Sequence, residues 1–248
     1  MAYIAEMARK SEVARPRVRR AAKNPVRSRA VRKRTAPRAG ASEDAPYHHG
    51  ALRDALLEAA ERVLERDGVA GLTLRAVARE AGVSHAAPTH HFGDLTGLVS
   101  ELAAIGFRQF NTAMELADAV GNSPVEKAMA RAKAYVAYAQ AHPGMYGVMF
   151  RTERLDMTRP SLHEAAGAAF AGLAGAVGAS RHEQISEQAL SLGQAAAIAR
   201  AWSLVHGFTM LLLDGRLSDI LRRLPKGTDA ETLLDAMLKS TVGRPPGT

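Results

Sequence analysis

Apolar residues recur every three to four positions from residue 47 onward, and no stretch alternates apolar and polar residues as a strand would. The first apolar stripe comprises Leu52, Leu56, Ala59, Val63 and Leu64. This spacing predicts a helix over 51–67 that ends at Gly68, with Glu58, Arg62 and Arg66 on its outer face. The whole pattern predicts an all-α chain of about nine helices without an internal repeat.

Two short helices follow this first one. Thr73 is a suitable N-cap for a helix over 74–81, and Gly82 is a suitable end. The next stretch, GVSHAAPTHHF at 82–92, predicts a turn and a third short helix, before Asp94 caps a long helix over 95–120. The pair is typical of a helix-turn-helix motif at about 73–92, whose second helix enters the major groove. Many helical hairpins share such a glycine turn.

Three later helix starts are predicted from a Ser or Thr followed three residues on by Glu. They are Ser123 with Glu126, Ser180 with Glu183, and Thr228 with Glu231.

The helix predicted over 194–213 is apolar on nearly all sides, which predicts burial against its own domain and against something else. One candidate is the same helix of a second chain, with helix 228–241 completing the interface; the alternative is a buried central helix in a monomer. The uncharged apolar run 201–213 has 13 residues, short of the roughly 20 that span a bilayer. No membrane association is expected.

Positive charge is concentrated at the start of the chain. Residues 1–45 carry 13 Lys or Arg and 4 Asp or Glu, a net +9, whereas the remainder carries a net −1. With prolines and no amphipathic period, residues 1–46 are predicted to be a disordered basic tail. The tail is either an arm that binds DNA phosphates or an inert solvated segment of an over-long gene model.

Composition argues against secretion and against several site classes. The chain has no cysteine, which excludes disulfides and thiolate metal sites, and no secretory signal is recognisable, so a cytoplasmic location is expected. The head holds five histidines: His48, His49, His85, His90 and His91. Adjacent histidines diverge on a helix and no carboxylate has ligand spacing, so surface or phosphate-proximal roles are favoured over a metal site. No cofactor is expected, and no catalytic motif predicts an enzyme.

Two longer stretches resemble a known family. The segment YHHGALRDALLEAAERVLERDGVAGLTLRAVAREAGVSHAAPTHHFGDLTGL, residues 47–98, resembles the DNA-binding head of TetR-family transcriptional regulators. The segment WSLVHGFTMLLLDGRL, residues 202–217, resembles the Trp/His/Gly signature of one branch of that family's C-terminal domain. The resemblance implies a helix-turn-helix DNA-binding domain at 47–97 and a helical ligand-binding and dimerisation domain at 98–243.

The resemblance also implies a function. A homodimer, paired through helices 194–213 and 228–241, would bind a palindromic double-stranded DNA operator and repress transcription until a small molecule releases it. The alternative is an architectural or nonspecific DNA-binding protein driven by the arginine-rich tail, which would bind any duplex with steep salt dependence.

Carried over by position, seven residues are expected to contact DNA. Thr73 and Arg75 would contact the phosphate backbone, and the groove-facing residues would be Ser84, His85, Ala86, Thr89 and His90. With Ser84 as N-cap, Pro88 falls where a missing N–H costs little.

The chain departs from the family pattern at two positions. Thr89 replaces the usual tyrosine, and Leu95 replaces the usual lysine; both usual residues contact phosphate. The head over 47–97 has five arginines against seven acidic residues. Fewer ion pairs predict weaker DNA binding with a shallower salt dependence, unless the tail compensates.

An effector site is expected in the C-terminal domain. Trp202 and His206, one helical turn apart, either line the cavity or are packing residues, with His206 bonded to a backbone carbonyl. Met145, Met149 and Phe150, with Met157, either form an adaptable pocket wall or belong to the core. The effector is expected to be a small apolar or aromatic molecule.

Overall fold

The computed structural model describes residues 48–150, 155–186 and 189–242, so the predicted basic tail lies outside the described residues. Within these ranges the backbone forms ten helices and no strand, which confirms the all-α prediction. The helices are α1 (His48–Gly71), α2 (Leu74–Glu80), α3 (Ala87–Phe92), α4 (Leu95–Asp118), α5 (Pro124–Ala141), α6 (Pro143–Phe150), α7 (Pro160–Arg181), α8 (Leu192–Leu213), α9 (Ser218–Leu221) and α10 (Ala230–Val242).

Helices α1 to α3 pack around a small core at the N-terminal end of α4. Leu56 and Val63 of α1, Val77 of α2 and Phe92 of α3 are buried in it. Gly68 has φ 68° and ψ −175°, so the regular part of α1 ends where the sequence predicts. The hydroxyl oxygen of Thr73 accepts a hydrogen bond from the Ala76 amide at 3.1 Å, which confirms the predicted N-cap of α2.

Helix α4 joins the two predicted domains without a linker. The Asp94 carboxylate caps it by accepting a hydrogen bond from the Gly97 amide at 2.8 Å. The helix continues for 24 residues and packs against α1 and α3 at one end and against α5, α6 and α7 along its length. The boundary predicted at 97/98 therefore falls inside a rigid element.

The predicted helix start at Ser180 is wrong. Ser180 lies inside α7, and its hydroxyl donates to the Val177 carbonyl at 2.9 Å. The alanine-rich sequence before it favours continuation of the helix, which ends at Arg181 and is followed by the C-cap His182 with φ 55°. The following start is Ser191, whose hydroxyl accepts from the Gln194 amide while the Gln194 side chain accepts from the Ser191 amide. This capping box uses glutamine instead of glutamate.

Among the other predicted caps, only Ser123 is confirmed, since its hydroxyl accepts from the Glu126 amide at 3.2 Å. Thr228 is wrong by one residue, because the Asp229 carboxylate accepts from the Thr232 amide at 2.8 Å. Ser84 does not cap α3, whose N-cap is Ala86. Pro88 has no N–H to bond to the Ser84 carbonyl, and that carbonyl instead accepts from the Ala87 amide at 3.0 Å.

Helix α8 buries one side against its own chain and leaves an apolar side uncovered. Phe208 packs with Val136 of α5 and Leu234 of α10 in a second core. On the other side, Leu192 is 87% exposed and Trp202 42% exposed. By length and composition alone α8 is long and apolar enough to cross a membrane, with a mean hydropathy of 1.4, and 22% of that stretch is buried. Core helices of soluble proteins can be equally long and apolar, but they are mostly buried.

Candidate nucleic-acid interface and effector site

Helix α3 separates its residues into a buried and an exposed side. Pro88 and Phe92 are buried against α1, α2 and α4. The five residues predicted to face the groove are all exposed: Ser84, His85, Ala86, Thr89 and His90. We call these five residues the groove-facing surface. They are brought together by the turn before α3 and by its first turns.

The predicted phosphate-contacting residues Thr73 and Arg75 lie at the start of α2, and both are exposed. The Thr73 hydroxyl oxygen already caps its helix, which leaves its proton free to donate to phosphate. Leu95, at the first position of α4, is half-buried and packs on the head core. The position that the family resemblance assigns to a positively charged lysine is therefore held in this chain by a leucine that packs on the core.

Acidic partners engage most of the arginines in the head. Arg62 and Arg66 bind the Glu80 carboxylate at 3.1 and 2.9 Å, and hydrogen bonds from Arg66 and Arg62 lower the pKa of Glu80. Arg53 binds Glu101 at 2.6 Å. Within the described head, the structure gives no carboxylate partner to Arg75 or Arg79. Carboxylates therefore compensate the charge of three of the five head arginines.

The histidines of the head do not gather into a metal site among the described side chains. The rings of His90 and His91 are in edge-to-face contact, with their centres 5.5 Å apart. In the described part of the chain, no group of three or more His, Asp or Glu residues is arranged so that it could hold a metal ion. The side chains of His48 and His49 lie outside the described residues.

Three polar atoms meet inside the C-terminal domain. The Tyr135 hydroxyl on α5 lies 3.1 Å from the Tyr146 hydroxyl on α6. The His206 Nδ1 on α8 lies 2.9 Å from the first and 2.8 Å from the second. Both tyrosines are buried, and His206 is half-buried. We call Tyr135, Tyr146 and His206 the polar trio.

Burial keeps the polar trio uncharged. It raises the pKa of Tyr146 to about 12 and that of Tyr135 further, and it lowers the pKa of His206. At neutral pH both hydroxyls keep their protons and the imidazole is neutral, so Nδ1 can accept from one hydroxyl while the other donates to its neighbour's oxygen. The three groups can thus form hydrogen bonds with one another, or they can offer one donor and one acceptor to an uncharged ligand.

The predicted effector residues are only partly brought together. The ring of Phe150 lies 5.0 Å from that of His206, and the ring of Trp202 lies 6.2 Å from it. Met145 and Met149 are buried instead against Gly106 of α4. The partners that the structure gives to His206 Nδ1 are two tyrosine hydroxyls, and the predicted bond of His206 to a backbone carbonyl stays a prediction.

Sequence reasoning missed Tyr135 and Tyr146. The available signal was their clustering, because three of the five tyrosines of the chain fall within residues 135–146. Buried tyrosines usually find a hydrogen-bond partner, so such a cluster next to an apolar helix with one histidine indicates a shared network.

The comparison with protein families agrees with this geometry. Residues 56–102, from α1 into α4, match the model of bacterial regulatory proteins of the tetR family. Residues 128–241 match the model of the tetracyclin repressor-like C-terminal domain. The chain belongs to the TetR family of transcriptional regulators. As a TetR-family protein it is a DNA-binding transcriptional regulator, and the regulators of this family bind DNA operators and dimerise.

Individual relatives support the assignment. An uncharacterized HTH-type transcriptional regulator of Mycobacterium tuberculosis is 28% identical over 210 residues, which cover 84% of this chain and 88% of the relative. A protein with unknown function from Rhodococcus sp. RHA1, whose structure has been solved, is 32% identical to this chain. The two structures superpose with a TM-score of 0.63, and the match covers 80% of this chain and 97% of the Rhodococcus chain. The regulator FadR of Bacillus subtilis, solved in complex with stearoyl-CoA, shares the fold at 14% identity, with a TM-score of 0.52 and coverage of 77% and 97%.

Proposed function

We propose that this TetR-family regulator is a repressor that binds a palindromic operator as a homodimer and is released by a small-molecule effector. The observation that supports operator recognition is the groove-facing surface, which is formed by the turn before α3 and by the start of α3, a helix held from behind by Pro88 and Phe92. Its Ser, Ala and Thr side chains are small enough for close approach to base edges, and the Ala86 methyl can meet a thymine methyl. His85 and His90 add hydrogen-bonding groups.

The full-length chain should select one duplex sequence from a random pool, and the footprint should show two half-sites related by two-fold symmetry. Uniform coating without a preferred sequence would favour the architectural alternative. Ala86→Asp should abolish selective binding, because it brings negative charge to the bases. Ala168→Asp, at an exposed alanine of α7, is the matched control and should bind as the wild type does.

The homodimer is proposed to form through α8 and α10. The exposed side of α8 carries Trp202, Met210 and Leu211, which a second copy of the same helix would cover. Arg200, near the middle of α8, is also exposed, and a charge at that position is costly in the centre of a bilayer. A second copy of the chain is therefore a better cover for α8 than lipid.

Sedimentation velocity tests this interface. The wild-type chain should sediment as a dimer, and Met210→Arg should sediment as a monomer, because it places charge where the twin helices meet. Ala168→Arg should remain a dimer. A wild-type monomer, or a chain that floats with lipid vesicles, would refute the proposed interface.

The effector is proposed to bind beside the polar trio, with Phe150 and Trp202 as aromatic walls. Because the trio is uncharged, it suits an apolar or aromatic molecule with one neutral polar group. FadR, which shares this fold, was solved in complex with stearoyl-CoA, a molecule with a long apolar chain. Met145 and Met149 are proposed as the adaptable layer behind the site.

The basic tail is proposed to supply phosphate contacts that the head lacks, since three of the five head arginines are engaged by carboxylates. Deletion of residues 1–45 should weaken operator binding and flatten its salt dependence. Unchanged affinity and unchanged salt dependence would identify the tail as inert.

A further inference from the structure

Arg159 connects the C-terminal domain to the last residue of the recognition helix α3. It is the residue immediately before α7, and its Nη2 donates a hydrogen bond to the Phe92 carbonyl at 3.0 Å. Arg159 occupies the N-cap position of α7, but its side chain makes no capping bond there. The side chain extends to a different element, 67 residues earlier in the chain.

The Phe92 carbonyl needs a partner from outside its own helix. The last carbonyls of any helix lack intrahelical donors, and α3 has only six residues. Gly93, with φ 83°, turns the chain away immediately after Phe92. A guanidinium at this position satisfies the free carbonyl and places a positive charge where the carbonyl dipoles point.

Glu101 holds this guanidinium in place. Its Oε1 lies 3.5 Å from Arg159 Nη1, and its Oε2 accepts from Arg53 at 2.6 Å and from the Ser161 hydroxyl at 3.1 Å. The Arg53 guanidinium in turn lies 5.7 Å from the centre of the Phe92 ring. Phe92 is therefore held at its ring and at its carbonyl by two arginines that share one carboxylate.

The chain is shaped to permit this contact. A Cβ on Gly97 would lie 2.0 Å from the Phe92 carbonyl oxygen and 2.5 Å from Arg159 Nη2, so a side chain there would fill the place where they meet. The segment before Arg159 is fixed on α4 as well, because the Asp156 amide donates to the Ser100 hydroxyl at 2.8 Å.

We propose, resting on the operator binding proposed above, that Arg159 is a positioning residue, which sets the orientation of α3 from the C-terminal domain without touching DNA. Helix α3 is too short to hold a fixed orientation by itself. Its C-terminal end is fixed by a side chain that belongs to the start of α7. A displacement of the start of α7 therefore moves the groove-facing surface.

The test compares Arg159→Met and Arg159→Lys with Arg131→Met in the full-length chain. Arg131 donates to Asp118 at 2.6 Å, so its variant loses a comparable ion pair outside the head. For the selected operator duplex, Arg159→Met should weaken binding about tenfold, because the freed end of α3 must then be ordered when it binds. Its salt dependence and its affinity for random duplex should stay at wild-type values, because no phosphate contact is removed. Arg159→Lys should recover part of the loss, and Arg131→Met should bind as the wild type.

Three results would overturn the proposal. The first is that Arg159→Met binds the operator as tightly as the wild type. The second is that Arg159→Met loses as much affinity for random duplex as for the operator. The third is that Arg159→Met loses no more operator affinity than Arg131→Met. A second measurement needs no operator. Hydrogen–deuterium exchange of the amides in α3 should accelerate in Arg159→Met and not in Arg131→Met; equal exchange in the two variants would refute the positioning role.

Discussion

Removal of the two hydroxyls of the polar trio, one at a time and together, tests whether its three members act as one network. Tyr135→Phe or Tyr146→Phe alone removes one hydrogen bond, and His206 Nδ1 keeps the other hydroxyl at 2.8 or 2.9 Å. Each single variant should therefore lower the free energy of unfolding by about 1 kcal/mol. The double variant leaves Nδ1 of the half-buried His206 without either hydroxyl, which adds about 1–3 kcal/mol of uncompensated desolvation.

The assay is urea denaturation at pH 7.5, at one fixed chain concentration because dimer stability depends on concentration. The double variant should lose about 3–5 kcal/mol, more than the sum of the two singles. Tyr138→Phe combined with Tyr135→Phe is the matched control, since the Tyr138 hydroxyl donates to the Gly106 carbonyl at 3.1 Å, outside the trio. That pair should be additive.

Additivity of the two trio variants to within about 0.5 kcal/mol would refute the reasoning. It would mean that His206 Nδ1 does not depend on the two hydroxyls as alternative partners. The proposed polar contact for the effector would then lose its physical basis.

Three further predictions concern pH, a close contact and charge. Burial lowers the pKa of His206 below its ordinary 6.5, so the folded chain binds this proton more weakly than the unfolded chain. The free energy of unfolding should therefore fall as the pH drops below about 6.5, by about 1.4 kcal/mol for each tenfold difference in proton affinity between the unfolded and the folded chain. Thermal melts should show a smaller fall for His206→Asn than for the wild type. Gly97→Ala should lower the melting temperature, because its Cβ would clash with the Phe92 carbonyl, whereas Gly175→Ala on α7, whose Cβ meets nothing within 4 Å, should raise it slightly. Leu95→Lys should tighten operator binding and steepen its salt dependence; a changed sequence preference in the selection experiment would contradict this.

The helices could be predicted from sequence because the signals that make them are local. The spacing of apolar residues, the helix-capping residues and the helix-ending glycines each act over a few residues. Thr73, Gly68 and Asp94 therefore have the predicted roles. Ser180 shows the limit of such signals. Its four-residue pattern matched a helix start, but the preceding alanine-rich sequence continues the helix through it.

The contacts that give the candidate sites their chemistry were not predictable in the same way. His206 meets Tyr135 across 71 residues of sequence, and Arg159 meets Phe92 across 67. No local pattern encodes such pairs, because they depend on how α4 brings distant helices together. The exposure of the five residues of the groove-facing surface was predictable by contrast, because they lie within seven consecutive residues that resemble the family's DNA-binding head. Their contact with DNA stays a prediction.

The separation of buried and exposed residues on α3 has an evolutionary consequence. None of the five groove-facing side chains belongs to the core, and replacements at exposed positions usually change stability by less than about 0.5 kcal/mol. Under the proposed operator recognition, descendants of this gene can therefore acquire new target promoters by drift at these positions while Pro88 and Phe92 preserve the scaffold. Divergence of regulatory circuits would then carry almost no folding penalty.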